Sequence, residues 1–207
     1  TVAAIATPSG DGALGVIRIS GEDAIAVADR VFFPFSGKAL SGMKGYTAAY
    51  GEIKDGETVL DDAVALVFRA PHSFTGEDTV EISVHGGSVM LRSVLRLILK
   101  SGAFPAGPGE FSKRAFLNGK TDLARAEAVI DLINSKTELE QSVSVNQLGG
   151  ALSEKINSLR DELLTLIAHV QVLIDYPDEE LEPLSEDEFL DKLKEVRAES
   201  DKLLATS

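Results

Sequence analysis

Strand-like hydrophobic patterning is confined to the first part of this chain. Up to about Pro108, short runs with the two-residue period of half-buried strands are interspersed with segments of helical spacing. From Thr121 onward apolar residues recur at three and four residues over long stretches, the period of amphipathic helices. The 207 residues therefore read as an α+β domain followed by an all-α helical domain, divided as 1–118 and 119–207.

In the first part, Val2 to Thr7 and Leu14 to Ser20 read as strands. Gly21 opens a segment in which Ala24, Ile25, Val27, Ala28, Val31 and Phe32 recur at helical spacing, predicting a helix that Pro34 ends. Tyr46 to Ile53 and Leu60 to Phe68 flank Lys54-Asp55-Gly56-Glu57, and Asp55-Gly56 is a strong hairpin signal. Thr79 to Val84 alternates, with Val80, Ile82 and Val84 on one face and Glu81 and Ser83 on the other. Gly86-Gly87 then hands over to a helix from Ser88 to Lys100.

In the second part, Leu123 to Ile133 and Thr137 to Gln147 are predicted helices, separated from the next by Gly149-Gly150. Leu152, Ile156, Leu159, Leu163, Leu166, Ile167, Val170 and Ile174 form an apolar stripe on a long helix that Pro177 stops. Leu181 to Leu184 reads as an acidic turn, and Phe189 to Leu204 as a last helix with Leu190, Leu193, Val196 and Leu203 inward. The stripe needs facing helices. The expectation is a truncated chain or a bundle completed by another segment.

The absence of cysteine removes disulfides, thiol nucleophiles and thiolate metal sites. His72, His85 and His169 lack the i, i+4 pairing of a helical zinc site. No apolar run is long enough to span a bilayer, and Thr1 to Thr7 has no basic leader before its apolar stretch, so a cytoplasmic protein without membrane association is expected. The formal charge of -13 argues against broad phosphate contact with nucleic acid; an RNA partner would need a local basic patch or a second protein to hold it.

Several motifs mislead. Gly10 to Gly15 spells G-x-G-x-x-G, but the strand-like Val16-Ile17-Arg18-Ile19 follows where a dinucleotide site needs a helix, so the string reads as a hairpin loop. No G-x-x-x-x-G-K-[ST] phosphate loop occurs in the 207 residues. Arg18, among apolar neighbours, either lies on the wet face of its strand or meets a partner; Glu81 stands in the same kind of position. The two could pair, or both could line a cleft, where Glu81 would suit an aminopyrimidine edge by meeting two N–H donors with two oxygens. His85 is read mainly as a structural hydrogen bonder. Pro108 to Lys120 is explained largely by helix capping, with Glu110 early, Gly119 at the C-cap and Phe111 and Phe116 as core anchors. It also leaves a cationic joint at Lys120 that could take an anion.

Taken together, these strings resemble one family. Ala6-Thr7-Pro8 with Gly15 to Gly21, Ser73 to Asp78 with Glu81 and His85-Gly86-Gly87, Pro108 to Lys120 with Asp122-Leu123-Ala124, and Ile174 to Glu180 follow in order the signatures of the MnmE tRNA-modification GTPases. Asp11 departs from the basic residue the family often carries there.

The resemblance implies a folate-binding, homodimer-forming domain akin to glycine-cleavage T-protein folds over 1–118, then the first part of the helical domain over 119–207. A Ras-like GTPase domain, with its GTP, potassium and magnesium sites, would be inserted beyond the last residue here. No catalytic residue and no metal ligand is expected within these residues. The resemblance further implies a reduced folate such as 5-formyl-tetrahydrofolate as cofactor, held by Arg18, Glu81 and Lys120. It implies the flavoprotein MnmG as partner and tRNA as substrate, the complex modifying C5 of the wobble uridine. A dimerisation scaffold without chemistry of its own is the alternative; a stand-alone aminomethyltransferase relative would lack the helical half.

Overall fold

The computed structural model describes residues 1–8, 10, 12–175 and 185–205, apart from the side chain of Glu186. The expected turn at Pro177 and Leu181 to Leu184, and the departure at Asp11, lie outside the described residues. The chain divides into two compact units, Thr1–Thr121 and Asp122–Ser207.

The first unit is built on a seven-stranded sheet. Its strands are β1 (Val2–Ile5), β2 (Leu14–Ser20), β3 (Phe32–Pro34), β4 (Thr47–Asp55), β5 (Thr58–Phe68), β6 (Thr79–His85) and β7 (Phe104–Pro105). They lie in the order β3-β4-β5-β6-β2-β1-β7. Every neighbour pair is antiparallel except β1 with β7. The Asp55-Gly56 signal makes the β4–β5 hairpin, with Gly56 at φ 62 in the tight turn.

Alternation divides the sheet faces. Ile17 and Ile19 of β2, Val80, Ile82 and Val84 of β6, and Ala63, Ala65 and Val67 of β5 are all buried. Register places them on a common face, with Ile17 opposite Ile82 and Ala65 opposite Ile82. Helices α1 (Ala24–Asp29) and α2 (Ser88–Lys100) cover this face. On α2, Leu91, Val94 and Ile98 sit at helical spacing and point inward. Each fully buried aliphatic side chain contributes about 1.5–3 kcal/mol to folding. The opposite face carries Arg18, opposite Glu81, which is opposite Leu66.

The helix predicted to run through Phe32 ends at Asp29. Phe32–Pro34 pairs instead with β4, Phe32 opposite Ile53. Val31 and Phe32 are still buried, so the apolar residues go inward as predicted but by way of a strand. Two contacts end the helix: the Asp29 carboxylate accepts from the backbone N–H of Leu40 and Ser41 at 2.6 and 3.0 Å, and Val31 O accepts from Lys54 N at 2.9 Å. Gly51 permits this pairing, because a Cβ there would stand 2.7 Å from Pro34 Cα.

Helix α3 (Glu110–Leu117) closes the unit. Its buried anchor is Ala115; Phe111 is half-buried, and Phe116, expected in the core, is exposed. Phe111 and Ala115 are four residues apart and share a face, which turns Phe116 away. Gly119, at φ 67, ends the helix: Gly119 N donates to Phe116 O and Lys120 N to Ala115 O, a Schellman cap that fixes the backbone of Lys120.

The second unit holds only helices among the described residues: α4 (Leu123–Asn134), α5 (Glu138–Leu148), α6 (Ala151–Asp175) and α7 (Glu186–Ala205). Asp122 caps α4 by accepting from Arg125 N, and Thr137 with Glu140 forms a capping box on α5. Of the α6 stripe, Leu159 and Leu166 are buried, while Ile156, Ile167 and Ile174 are exposed. On α7, Val196 is buried but Leu190, expected inward, is exposed; among the described residues, the apolar surface beside the helix does not cover the whole stripe. The class read from the pattern, α+β followed by all-α, is the class of the structure.

Candidate binding site on the open sheet face

Arg18 and Glu81 are register partners on β2 and β6, so their side chains leave the sheet side by side. Arg18 Nε donates to Glu81 Oε1 at 2.8 Å, and Nη2 reaches the same oxygen at 2.7 Å. Both side chains are about one quarter exposed, 24% and 25%. Oε1 thus meets both nitrogens, and Oε2 accepts no hydrogen bond from Arg18. Two rings flank the guanidinium: Arg18 Cζ lies 5.2 Å from the centroid of Phe74 and 5.3 Å from that of Phe111, within cation–π range. The cost of placing an arginine in an apolar strand is met by this partner and these rings rather than by water alone.

Phe74 belongs to the segment 73–78 before β6, and each residue of that segment is held. Ser73 Oγ donates to Glu77 O, and Thr75 Oγ1 lies 2.6 Å from the buried hydroxyl of Ser20. Ser20 donates to Glu77 Oε2 at 2.8 Å. Arg114 of α3 grips both oxygens of Glu77 through Nη1, at 3.0 and 3.1 Å, and donates to Glu110 through Nε at 3.0 Å. Asn118 Nδ2 donates to Thr75 O at 2.7 Å. Gly76, at φ 77, lies beneath the stem of Lys120, whose Cγ would be 3.0 Å from a Cβ at that position.

The structure therefore brings Arg18 and Glu81 into direct contact and sets Lys120 against the loop whose Phe74 touches Arg18. Among the described residues the Lys120 ammonium pairs with no carboxylate. Phe74, Glu77 and Arg114 fall within the family-like strings Ser73 to Asp78 and Pro108 to Lys120, but sequence reasoning gives none of them a place in the site. Glu77 and Arg114 each stand in an ordinary local pattern, a turn and a helix end, and their 37-residue separation gave no sign of contact.

His85, at the end of β6, is exposed and held by Asp61 of β5. Its Nδ1 is 2.7 Å from Asp61 Oδ1, and its backbone N–H donates to Asp61 Oδ2 at 2.7 Å. The hydrogen bond to Asp61, aided by the charge of that carboxylate, raises the imidazole pKa above its ordinary value. This is the structural bonding expected of it. Among the described residues no cluster of three or more His, Asp or Glu could hold a metal ion, and no helix is long and apolar enough to cross a membrane.

Comparison with known proteins supplies the rest. Residues 1–120 match the family profile described as GTP-binding protein TrmE N-terminus, and residues 123–207 match that of the MnmE helical domain. Proteins named tRNA modification GTPase MnmE align with the whole of this chain: 44% identity for that of Clostridioides difficile (strain 630), 47% for Listeria innocua serovar 6a and 45% for Bacillus subtilis (strain 168). The chain spans 45%, 45% and 46% of those three relatives, under half of each. An α+β unit and a helical unit, each matched in order by a profile of the same protein family, establish that the chain belongs to the TrmE (MnmE) family.

Proposed function

We propose that this chain is the folate-binding, dimerising portion of a GTPase that modifies C5 of the wobble uridine of certain tRNAs together with the flavoprotein MnmG. The observation that carries this reading is the Arg18–Glu81 pair, whose Oε2 accepts no hydrogen bond from Arg18, framed by Phe74 and Phe111. A reduced folate, 5-formyl-tetrahydrofolate in its bound form, would supply or stand for the one-carbon unit. The residues fit such a ligand on three counts. Glu81 Oε2 can accept an N–H from the aminopyrimidine edge of the pterin. The two rings offer apolar faces to a flat heterocycle. Arg18 and Lys120 are cations for polar or anionic parts of the ligand, in a chain whose net charge of -13 otherwise repels anions. Because Arg18 donates to Oε1 and also approaches it through Nη2, a pterin edge that meets both oxygens would compete with Arg18 at Oε1.

GTP hydrolysis, with its potassium and magnesium, is assigned to sequence other than these 207 residues, which hold no phosphate loop. The acidic balance makes the partner protein or a local patch responsible for holding tRNA. A homodimer formed through the sheet unit and a cytoplasmic location complete the reading.

Calorimetric titration of 5-formyl-tetrahydrofolate into the chain tests it, with Glu81→Ala alongside. Saturable binding that the variant loses supports the folate reading. Tight binding by Glu81→Ala removes Glu81 from the site. No binding by a folded dimer favours the scaffold reading.

A further inference from the structure

We propose that Arg114 and Glu77 form a latch that positions the Lys120 ammonium relative to the Arg18–Glu81 pair; this rests on the folate reading above. The four consecutive residues Phe74 to Glu77 link the sheet side of the candidate site to α3 and Lys120. Phe74 packs on Arg18, Thr75 is bonded to Ser20 and Asn118, Gly76 supports the Lys120 stem, and Glu77 is gripped by Arg114. The sheet fixes Arg18 and Glu81 by backbone register, so those two need no further support. Lys120 has no strand to hold it. Its backbone hangs from the end of α3 through the bond to Ala115 O, and its stem lies on Gly76.

The Arg114–Glu77 pair joins these two supports, because Arg114 is on α3 and Glu77 adjoins Gly76. The join is stiff. Arg114 uses one nitrogen for both Glu77 oxygens and another for Glu110, and Ser20 adds a hydrogen bond to Glu77 from the buried end of β2. Side-chain exposures of 22% for Arg114 and 24% for Glu77 shield the pair from water, so it resists screening better than a surface pair. Arg114 and Glu77 are positioning residues here: they act on a ligand through Lys120. If the latch opens, α3 and the 73–78 loop can separate, and Lys120 loses its set distance from Glu81.

A double-mutant cycle on 5-formyl-tetrahydrofolate affinity tests the latch, using the full chain with Arg114→Gln, Lys120→Met and the two combined. Each single change is expected to weaken binding about tenfold, the loss of one charge-assisted contact. The combined variant is expected to bind no worse than Lys120→Met alone, because a latch that works through Lys120 has nothing left to position. Arg114→Lys, which keeps the charge but not the two-oxygen grip, should fall between wild type and Arg114→Gln. Additive losses in the combined variant, or wild-type affinity in Arg114→Gln, overturn the latch while leaving the folate reading intact. Absence of binding by the wild-type chain instead overturns the folate reading, and the latch with it. If Arg114→Gln does not fold, the same cycle run with Glu110→Gln, which removes only the outer bond, decides: additivity with Lys120→Met again counts against the latch.

Discussion

Ile82, on the central strand β6, is wholly shielded from solvent, whereas Ile167, on the long helix α6, is 60% exposed. The same residue type thus has opposite surroundings in the two units. A strand in the middle of a sheet meets neighbours on both sides, and α1 and α2 cover the face on which Ile82 lies. A helix needs apolar surface on every side that carries its stripe, and among the described residues α6 buries Leu159 and Leu166 but leaves Ile156, Ile167 and Ile174 exposed. The sheet unit therefore gains most of its stability from burial within the described residues. The helical unit draws a larger share from local sources, namely caps, helix propensity and i, i+4 pairs.

The largest test of this contrast is truncation. Ile82→Ala should cost about 2–5 kcal/mol in urea unfolding, and Ile167→Ala no more than about 0.5 kcal/mol. Equal losses would break the comparison. Next in size is Gly51→Ala, whose new Cβ meets the backbone of Phe33 and Pro34, which cannot swing aside as a side chain can. About 1–3 kcal/mol should be lost, read in the same unfolding curves. A free substitution there would mean that the β3–β4 edge is not as drawn.

Thr137→Ala removes the capping box of α5 and should cost about 1 kcal/mol. Thermal unfolding followed by far-ultraviolet circular dichroism should register it in the helical unit, with hydrogen-exchange protection of β6 unchanged. Loss of protection in β6 would show that the two units are not energetically separate.

The smallest effect concerns His85. Its pKa is raised in the folded state by Asp61, so its contribution to stability is fully present below the unfolded imidazole pKa and fades as pH rises through the folded one. Proton NMR should place the His85 midpoint above the ordinary histidine value, and Asp61→Asn should bring it back down. A midpoint that does not respond to Asp61→Asn would sink the assignment of the pair.

Much of this architecture was legible in the chain. The ends of α2, the strand Leu14 to Ser20, the alternation of Val80, Ile82 and Val84, and the Gly119 cap follow from local rules of spacing and turn chemistry. Phe32–Pro34 did not. Its neighbours repeat at helical spacing, and only the distant strand β4, through Ile53 and Lys54 N, decides that it becomes an edge strand. Phe116 was misplaced because the face that α3 buries depends on what the helix lands on, which its own sequence does not state. The site divides in the same way. Arg18 and Glu81 could be suspected as charged residues in apolar strands, but their pairing is a matter of register.

By itself, then, the sequence determined that strand signals end before Thr121, hence an α+β unit followed by helices, and it carried the ordered strings that relate the chain to its family. These features are local: each depends on neighbours within a few residues. Only the tertiary structure decided that Arg18 meets Glu81, that Phe74 and Phe111 frame them, and that Arg114 grips Glu77. The physical reason is that strand register and helix docking are set by the packing of the whole core. Contacts between residues tens of positions apart come into being only when that core closes.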